Sequence, residues 1–205
     1  MWYLSGKIET KILSFPQVGF MLTPQIANKV DLNDVTWAAD NGRFNNPIAY
    51  SDEKFFYWLD QRKGLGTCLF ACAPDTWGDS VKTLDESEPM LPVIRMHGYK
   101  AALVAQDGLE NLCIPWDKFD ALFIGGTDPW RSSTAVPALV HKAKSMDKWV
   151  HMGRVNSWRR IKYAASIGCD SVDGTYLKFG PDINIINLRK WAYRLREGHQ
   201  LRAML

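Results

Sequence analysis

A rhythm constrains this chain more than any single motif. Short apolar or β-branched runs recur at 2–5, 18–23, 35–40, 67–75, 101–106, 121–125, 149–153 and 169–173, each stopping at a polar residue or a glycine. Near-continuous apolar runs of this length suit strands covered on both faces, as in parallel sheets. Between them, stretches at 51–61, 77–84, 136–145, 157–167 and 186–197 read as helices, with Ser157 standing where an N-cap belongs. This alternation predicts parallel strands with helices outside. Eight units in 205 residues average about 26 each, against about 31 in a typical barrel of roughly 250 residues. The expected fold is a compact (β/α)8 TIM-like barrel, a single domain over 1–205 with a basic C-terminal helical region. An open doubly wound sheet shares the alternation, but no G-x-G-x-x-G follows the first run.

Composition removes several classes. The chain is 46% hydrophobic with nine Trp, too apolar for disorder, and no apolar run is long enough to span a membrane. The opening segment lacks the basic and apolar regions of a secretory signal, and four scattered cysteines read as reduced thiols, so a cytoplasmic protein is expected. The four histidines show no zinc-ligand spacing. From Val150 onward ten Lys or Arg oppose four acids, an excess of six positive charges, while the rest is net negative within an overall +3. A basic C-terminal third suits phosphate contacts, or a solvated helix face.

The strand stops carry the chemistry. Asp40, Asp75, Gln106, Gly125 with Gly126, Met152 with Gly153, and Asp173 close the third to eighth runs. In a barrel these positions meet at the C-terminal face, where active sites lie. A single Asp there is commonly an Asx turn or a helix cap; several together point to one pocket. Two carboxylates can support retaining displacement at an acetal-like carbon, one attacking and the other moving a proton. A third carboxylate, an amide and close-approaching glycine backbone suit a purine edge. A phosphate-binding barrel using Gly125, Gly126 and the Ser132–Ser133 loop is a weaker alternative, because it leaves Asp75 and Gln106 unexplained.

Taken in order, these segments resemble the tRNA-guanine transglycosylases, and most closely the DpdA-type DNA 7-deazaguanine transglycosylases of phages and bacteria. Ala39-Asp40-Asn41-Gly42-Arg43-Phe44 is similar to the family's A/T-D-S-G-G-F segment, Val104-Ala105-Gln106-Asp107-Gly108 to V-Q-G, and Gly168-Cys169-Asp170-Ser171-Val172-Asp173 to G-x-D-x-F-D. Ala73-Pro74-Asp75, Ile124-Gly125-Gly126 and His151-Met152-Gly153 resemble the intervening segments. The resemblance covers about Val35 to Asp173. It departs at Asn41-Gly42-Arg43, at Val172, and in lacking the cysteine-rich zinc subdomain, whose absence favours the DNA branch.

The resemblance implies that Asp173 is the nucleophile and Asp40 the general acid/base. It implies that Asp75, Gln106, Gly125, Gly126, Met152 and Phe44 contact the base. The expected reaction exchanges guanine in DNA for a 7-deazaguanine such as preQ0 through a covalent aspartyl-deoxyribosyl intermediate, without a cofactor. Arg43, Arg154, Arg159, Arg160 and Lys162 are the expected nucleic-acid contacts. The partners are then DNA and a free 7-deazaguanine base, with partner proteins or a homo-oligomer compatible and a membrane not. The competing expectations are the same exchange on tRNA, a nucleoside-level purine glycosyltransferase or hydrolase, and a non-catalytic DNA-binding subunit. Trp37, Trp58, Trp149 and Trp191 read as core or barrel-edge aromatics, and His97 and His151 as structural. Phe44 and Trp77 could sandwich a base, and Trp130 could cover the pocket.

Overall fold

The computed structural model describes residues 1–6, 15–25 and 31–203, with side chains to residue 197. Its eight strands are β1 (Trp2–Ser5), β2 (Val18–Leu22), β3 (Thr36–Ala39), β4 (Thr67–Cys72), β5 (Ala101–Ala105), β6 (Ala121–Ile124), β7 (Trp149–Met152) and β8 (Ser171–Gly174). All neighbours are parallel, and β8 pairs with β1 to close the barrel. The compact (β/α)8 barrel expected from the sequence is thus the fold.

Among the described residues seven α-helices accompany the strands: α1 (Asp52–Asp60), α2 (Ser80–Ser87), α3 (Met90–Met96), α4 (Asp128–Arg131), α5 (Ala135–Ser145), α6 (Trp158–Ile167) and α7 (Pro181–Ala203). Among the described residues, no helix is long and apolar enough to cross a membrane. Their starts follow local chemistry. The Ser157 side chain accepts from the Arg160 N–H to cap α6, and Gly168 in the left-handed region ends it. Helix α2 starts later than the pattern over 77–84 predicts, because Gly78 turns at positive φ and Asp79 caps the helix by accepting from Lys82 N–H. Helix α3 has no counterpart in the expected elements. Its Pro92 lies in the first turn, where a missing N–H costs little.

Strand alternation sorts the side chains into two layers. Leu4, Met21, Ala38, Phe70, Cys72, Ala102, Val104 and Ala121 form the barrel interior, with Trp2, Phe123 and Trp149 against them. Their neighbours in sequence, including Phe20, Trp37, Leu103, Leu122, Val150, Met152 and Val172, join the larger core on the helix side. There Trp37 meets Trp58 and Tyr99 edge-on at 6.2 and 6.0 Å and donates to Leu65 O at 2.8 Å. Trp37 and Trp58 are accordingly core residues, as read from the sequence, and Trp149 and Trp191 are half-buried. The four cysteines are unpaired.

Candidate active site

Period-two alternation decides what reaches the mouth of the barrel. Ala38, Val104 and Phe123 face inward, so Asp40, Gln106 and Gly125 continue the inward rows just past the strand ends, whereas Asp75, three residues after inward-facing Cys72, is out of phase with its row and reaches the mouth through the turn after β4. Asp173 continues the row of Ser171 on β8. Asp40, Asp75 and Asp173 are each half-buried, and among the described residues none has a Lys or Arg nitrogen within 4.0 Å. Cys72 lies among them. Burial pushes its thiol well above the usual range, and the charges of Asp40, Asp75 and Asp173 push it further.

Asp40 follows β3 and turns back on its own loop, accepting from Gly42 N–H at 2.9 Å, while Asn41 accepts from Arg43 N–H at 2.8 Å. Asp40 is thus an Asx-turn residue as well as a pocket residue. Gly42 sits at φ +75°, and a Cβ there would collide with the Gln25 side chain. Burial pushes the Asp40 carboxyl up to about 7 against its Gly42 bond, with the charges of Asp75 and Asp173 adding to the rise. Such a group holds and releases a proton near neutrality.

Asp75 is held by two amides. Its Oδ1 accepts from Asn41 Nδ2 at 3.1 Å and its Oδ2 from Gln106 Nε2 at 2.8 Å. Gln106 is fully buried, and its Oε1 accepts from the N–H groups of Gly78 at 3.0 Å and Gly126 at 2.9 Å, which fixes which end of the amide faces Asp75. Burial raises the Asp75 carboxyl, opposed by these two amide bonds. Each oxygen keeps a lone pair for a further donor, so the pair can read two neighbouring N–H groups on a planar ligand.

Asp173 accepts from the ring of His151, with Nε2 3.0 Å from its Oδ1. His151 is fully buried, lies against Phe123 at 4.5 Å between ring centres, and meets Ser171 Oγ through Nδ1 at 2.8 Å. Gly153 is required beside this pair, since a Cβ there would come within 3.2 Å of Asp173 Oδ1 and 2.9 Å of the Phe123 ring.

Around this floor, Phe44 after β3 and Trp77 after β4 are exposed and meet edge to face at 6.1 Å. The Arg154 guanidinium lies 5.9 Å from each ring and donates to Gly126 O. Arg154 itself takes φ +57°, a left-handed conformation costly for a side chain with a Cβ. The rest of the basic set divides. Arg43 is committed to Glu86 through two bonds of 2.7 and 2.8 Å, so it is not a free phosphate contact. Arg160 donates to Asp128 at 2.6 Å and to Arg154 O at 3.0 Å. Arg159 and Lys162 are exposed, with no hydrogen bond or ion pair among the described residues.

Three expectations change. Met152 is 3% exposed on the helix side of the sheet, because it alternates with inward-facing His151, so it does not face the mouth. The N–H groups of Gly125 and Gly126 already donate to Ala105 O at 3.0 Å and Gln106 Oε1 at 2.9 Å, so neither points at a ligand. Trp130 is buried, donating to Glu110 at 2.9 Å, and does not cover the pocket. Sequence reasoning also missed His151 and Asn41, both of which bond to the pocket carboxylates. Counting back by two from Gly153 and Asp173 would have placed His151 and Ser171 inward.

Among the described residues no group of three His, Cys, Asp or Glu converges as a metal site. A cleft of about 1140 Å³ lies away from this face, between α7 and the starts of β1, β2 and β7. Its lining includes Met1, Phe15, Trp149 and Trp191. No protein-family model and no curated protein matches the chain. The functional reading therefore rests on the residues at the strand ends.

Proposed function

We propose that the chain is a cytoplasmic DNA-guanine transglycosylase, exchanging a guanine in DNA for a 7-deazaguanine base. The observation that carries the reading is the convergence of Asp40, Asp75 and Asp173, half-buried and without a Lys or Arg partner among the described residues, at the C-terminal mouth of the barrel. Keeping three carboxylates together in this way is costly unless they act on a ligand.

In this mechanism the target guanine leaves the stack and enters the mouth. Asp75, oriented by Asn41 and Gln106, accepts from the N–H donors on the purine edge. Asp173 attacks C1′ as the bond to N9 breaks, and that electron pair leaves with the base. Protonated Asp40 supplies the proton that the departing guanine needs. The incoming base then gives its N9 proton to Asp40 and attacks C1′, and the ester electron pair returns to Asp173. Two inversions restore the anomeric configuration. Of the expected basic set, Arg159 and Lys162 are free among the described residues to meet phosphate, and Phe44 and Trp77 flank the entrance.

Incubating the protein with isotope-labelled guanine and duplex DNA, single-stranded DNA or tRNA tests the reading. Label is expected in DNA with wild type and not with Asp173→Ala. Label in tRNA alone would move the substrate, and exchange by Asp173→Ala would overturn the mechanism. Because an enzyme can refuse guanine as incoming base, guanine release from DNA is followed in parallel with preQ0 supplied. No release and no label on any polymer would contradict the proposal.

A further inference from the structure

A line of hydrogen-bonded polar groups runs through the interior of this barrel. Trp149 and His151 on β7, and Ser171 and Asp173 on β8, lie in the inward rows, with His151 paired in register to Ser171. Trp149 Nε1 donates to Ser171 Oγ at 2.8 Å, Ser171 Oγ meets His151 Nδ1 at 2.8 Å, and His151 Nε2 meets Asp173 Oδ1 at 3.0 Å. His151 and Ser171 are both fully buried.

The proton positions follow from what each group can do. Indole N–H only donates, so it takes one lone pair of Ser171 Oγ. The single hydroxyl proton of Ser171 then points to Nδ1, which leaves Nε2 carrying the ring proton and facing the carboxylate. The reverse tautomer would set a bare nitrogen lone pair against an anionic oxygen. The relay thus begins at the bottom of the barrel and ends on one oxygen of Asp173.

We propose that His151 is a positioning residue for Asp173, its tautomer set by Ser171 and Trp149, so that Oδ1 is held and Oδ2 is the oxygen that attacks. This inference rests on the reading of Asp173 as the nucleophile. His151 touches neither substrate nor base. Its N–H meets the carboxylate before attack, the ester carbonyl oxygen afterwards, and the returning carboxylate as the second base displaces it. Because the bond is strongest when the oxygen is charged, it favours departure of Asp173 in the second displacement. Phe123 and Phe70, at 4.5 and 5.2 Å from the imidazole, keep the ring from turning.

The test compares His151→Leu, His151→Gln and Ser171→Ala with wild type and Asp173→Asn, measuring kcat for base exchange, DNA affinity and Tm. His151→Leu should lower kcat about 10- to 100-fold, the scale of one hydrogen bond to a charged group, with DNA affinity within about twofold of wild type. His151→Gln, whose amide N–H can still reach Oδ1, should recover a large part of that loss. Ser171→Ala keeps the ring in place and should lose several-fold in kcat, which covers the case in which His151→Leu does not fold. Wild-type kcat in a folded His151→Leu, or in Ser171→Ala should His151→Leu not fold, with Asp173→Asn inactive, would overturn the relay and leave the nucleophile standing. Equal losses in a folded Leu and Gln pair would also overturn it, because a packing role cannot distinguish the amide. Exchange by Asp173→Asn would overturn the relay together with the reading beneath it.

Discussion

At the N-terminal end of the barrel, Asp120 and Asp170 stand just before β6 and β8, and each is tied to a cation and a backbone amide. Asp120 accepts from Arg95 at 2.8 and 3.0 Å and from Ala101 N–H at 2.8 Å. Asp170 accepts from Lys144 at 2.8 and 2.9 Å and from Val150 N–H at 2.7 Å. At the opposite end, Asp40, Asp75 and Asp173 are bonded to amides and an imidazole, with no Lys or Arg nitrogen within 4.0 Å among the described residues. Burial pushes Asp120 up, but the Arg95 and Ala101 bonds outweigh it and hold the carboxyl below its ordinary range. Burial of Asp40 is opposed by the Gly42 N–H bond without a cation and, with the charges of Asp75 and Asp173 adding to it, carries the carboxyl to about 7. Asp120 is thus held as an ion at the bottom of the sheet while Asp40 keeps a proton to near neutrality at the top, and the difference lies in the cation built beside Asp120.

The sharpest way to break this contrast is to neutralise one carboxylate at each end. Asp173→Asn should cost at least about 1000-fold in exchange rate, as loss of a nucleophile does, while Tm stays close to wild type. Asp173→Asn still accepts from His151 and relieves repulsion with Asp40 and Asp75. An unchanged exchange rate in that variant, followed by release of labelled guanine, would remove the catalytic half of the comparison.

Asp40 adds a pH signature. A carboxyl whose folded value lies above its unfolded value of about 3.9 contributes stability that is complete below pH 4 and lost as pH rises through about 7. Asp40→Asn should therefore raise Tm relative to wild type at pH 8 and leave it little changed at pH 4. Guanine release in a single turnover, which needs the protonated form, should fall as pH rises through about 7, and this limb should vanish in Asp40→Asn. Thermal melts at the two pH values and quenched-flow release check both statements.

At the bottom, Asp120→Ala should lose about 2 kcal/mol, combining a half-exposed ion pair worth under about 1 kcal/mol with a bond to a backbone N–H. That corresponds to roughly 4–8 °C in Tm for a domain of this size, with exchange per folded molecule unchanged. Because the Asp120 carboxyl is held low, its contribution is present above pH 4 and lost as pH falls further. A drop in kcat without a drop in Tm would reverse the roles assigned to the two ends. The smallest effects belong to Arg159 and Lys162. Each change to Ala should weaken DNA binding modestly and reduce the salt slope by about 1 in a fluorescence titration, whereas Arg160→Ala should do less because Asp128 already holds it.

The barrel was legible in the sequence because parallel strands buried on both faces leave continuous apolar runs, and the runs at 101–106, 121–125 and 149–153 became β5, β6 and β7. The pocket residues were legible for a related reason: a carboxylate or amide directly after such a run falls at the mouth. Orientation was harder to read. A continuous apolar run gives no contrast between its two faces, so the sequence does not distinguish inward-facing His151 from Met152 on the helix side. Hydrogen bonding was also hidden, since only three-dimensional placement shows Gln106 spent on Asp75 and two glycine N–H groups, or Arg43 paired with Glu86 on α2. Helix α3 was concealed by its prolines, which read as breaks unless the first turn is recognised.

The most direct measurement is peptide mapping after an acid quench of the enzyme reacting with DNA in the absence of incoming base. The account predicts a deoxyribosyl ester on the peptide carrying Asp173, formed as guanine is released and chased away by added 7-deazaguanine. Guanine release with no adduct, or an adduct on a different residue, would contradict it.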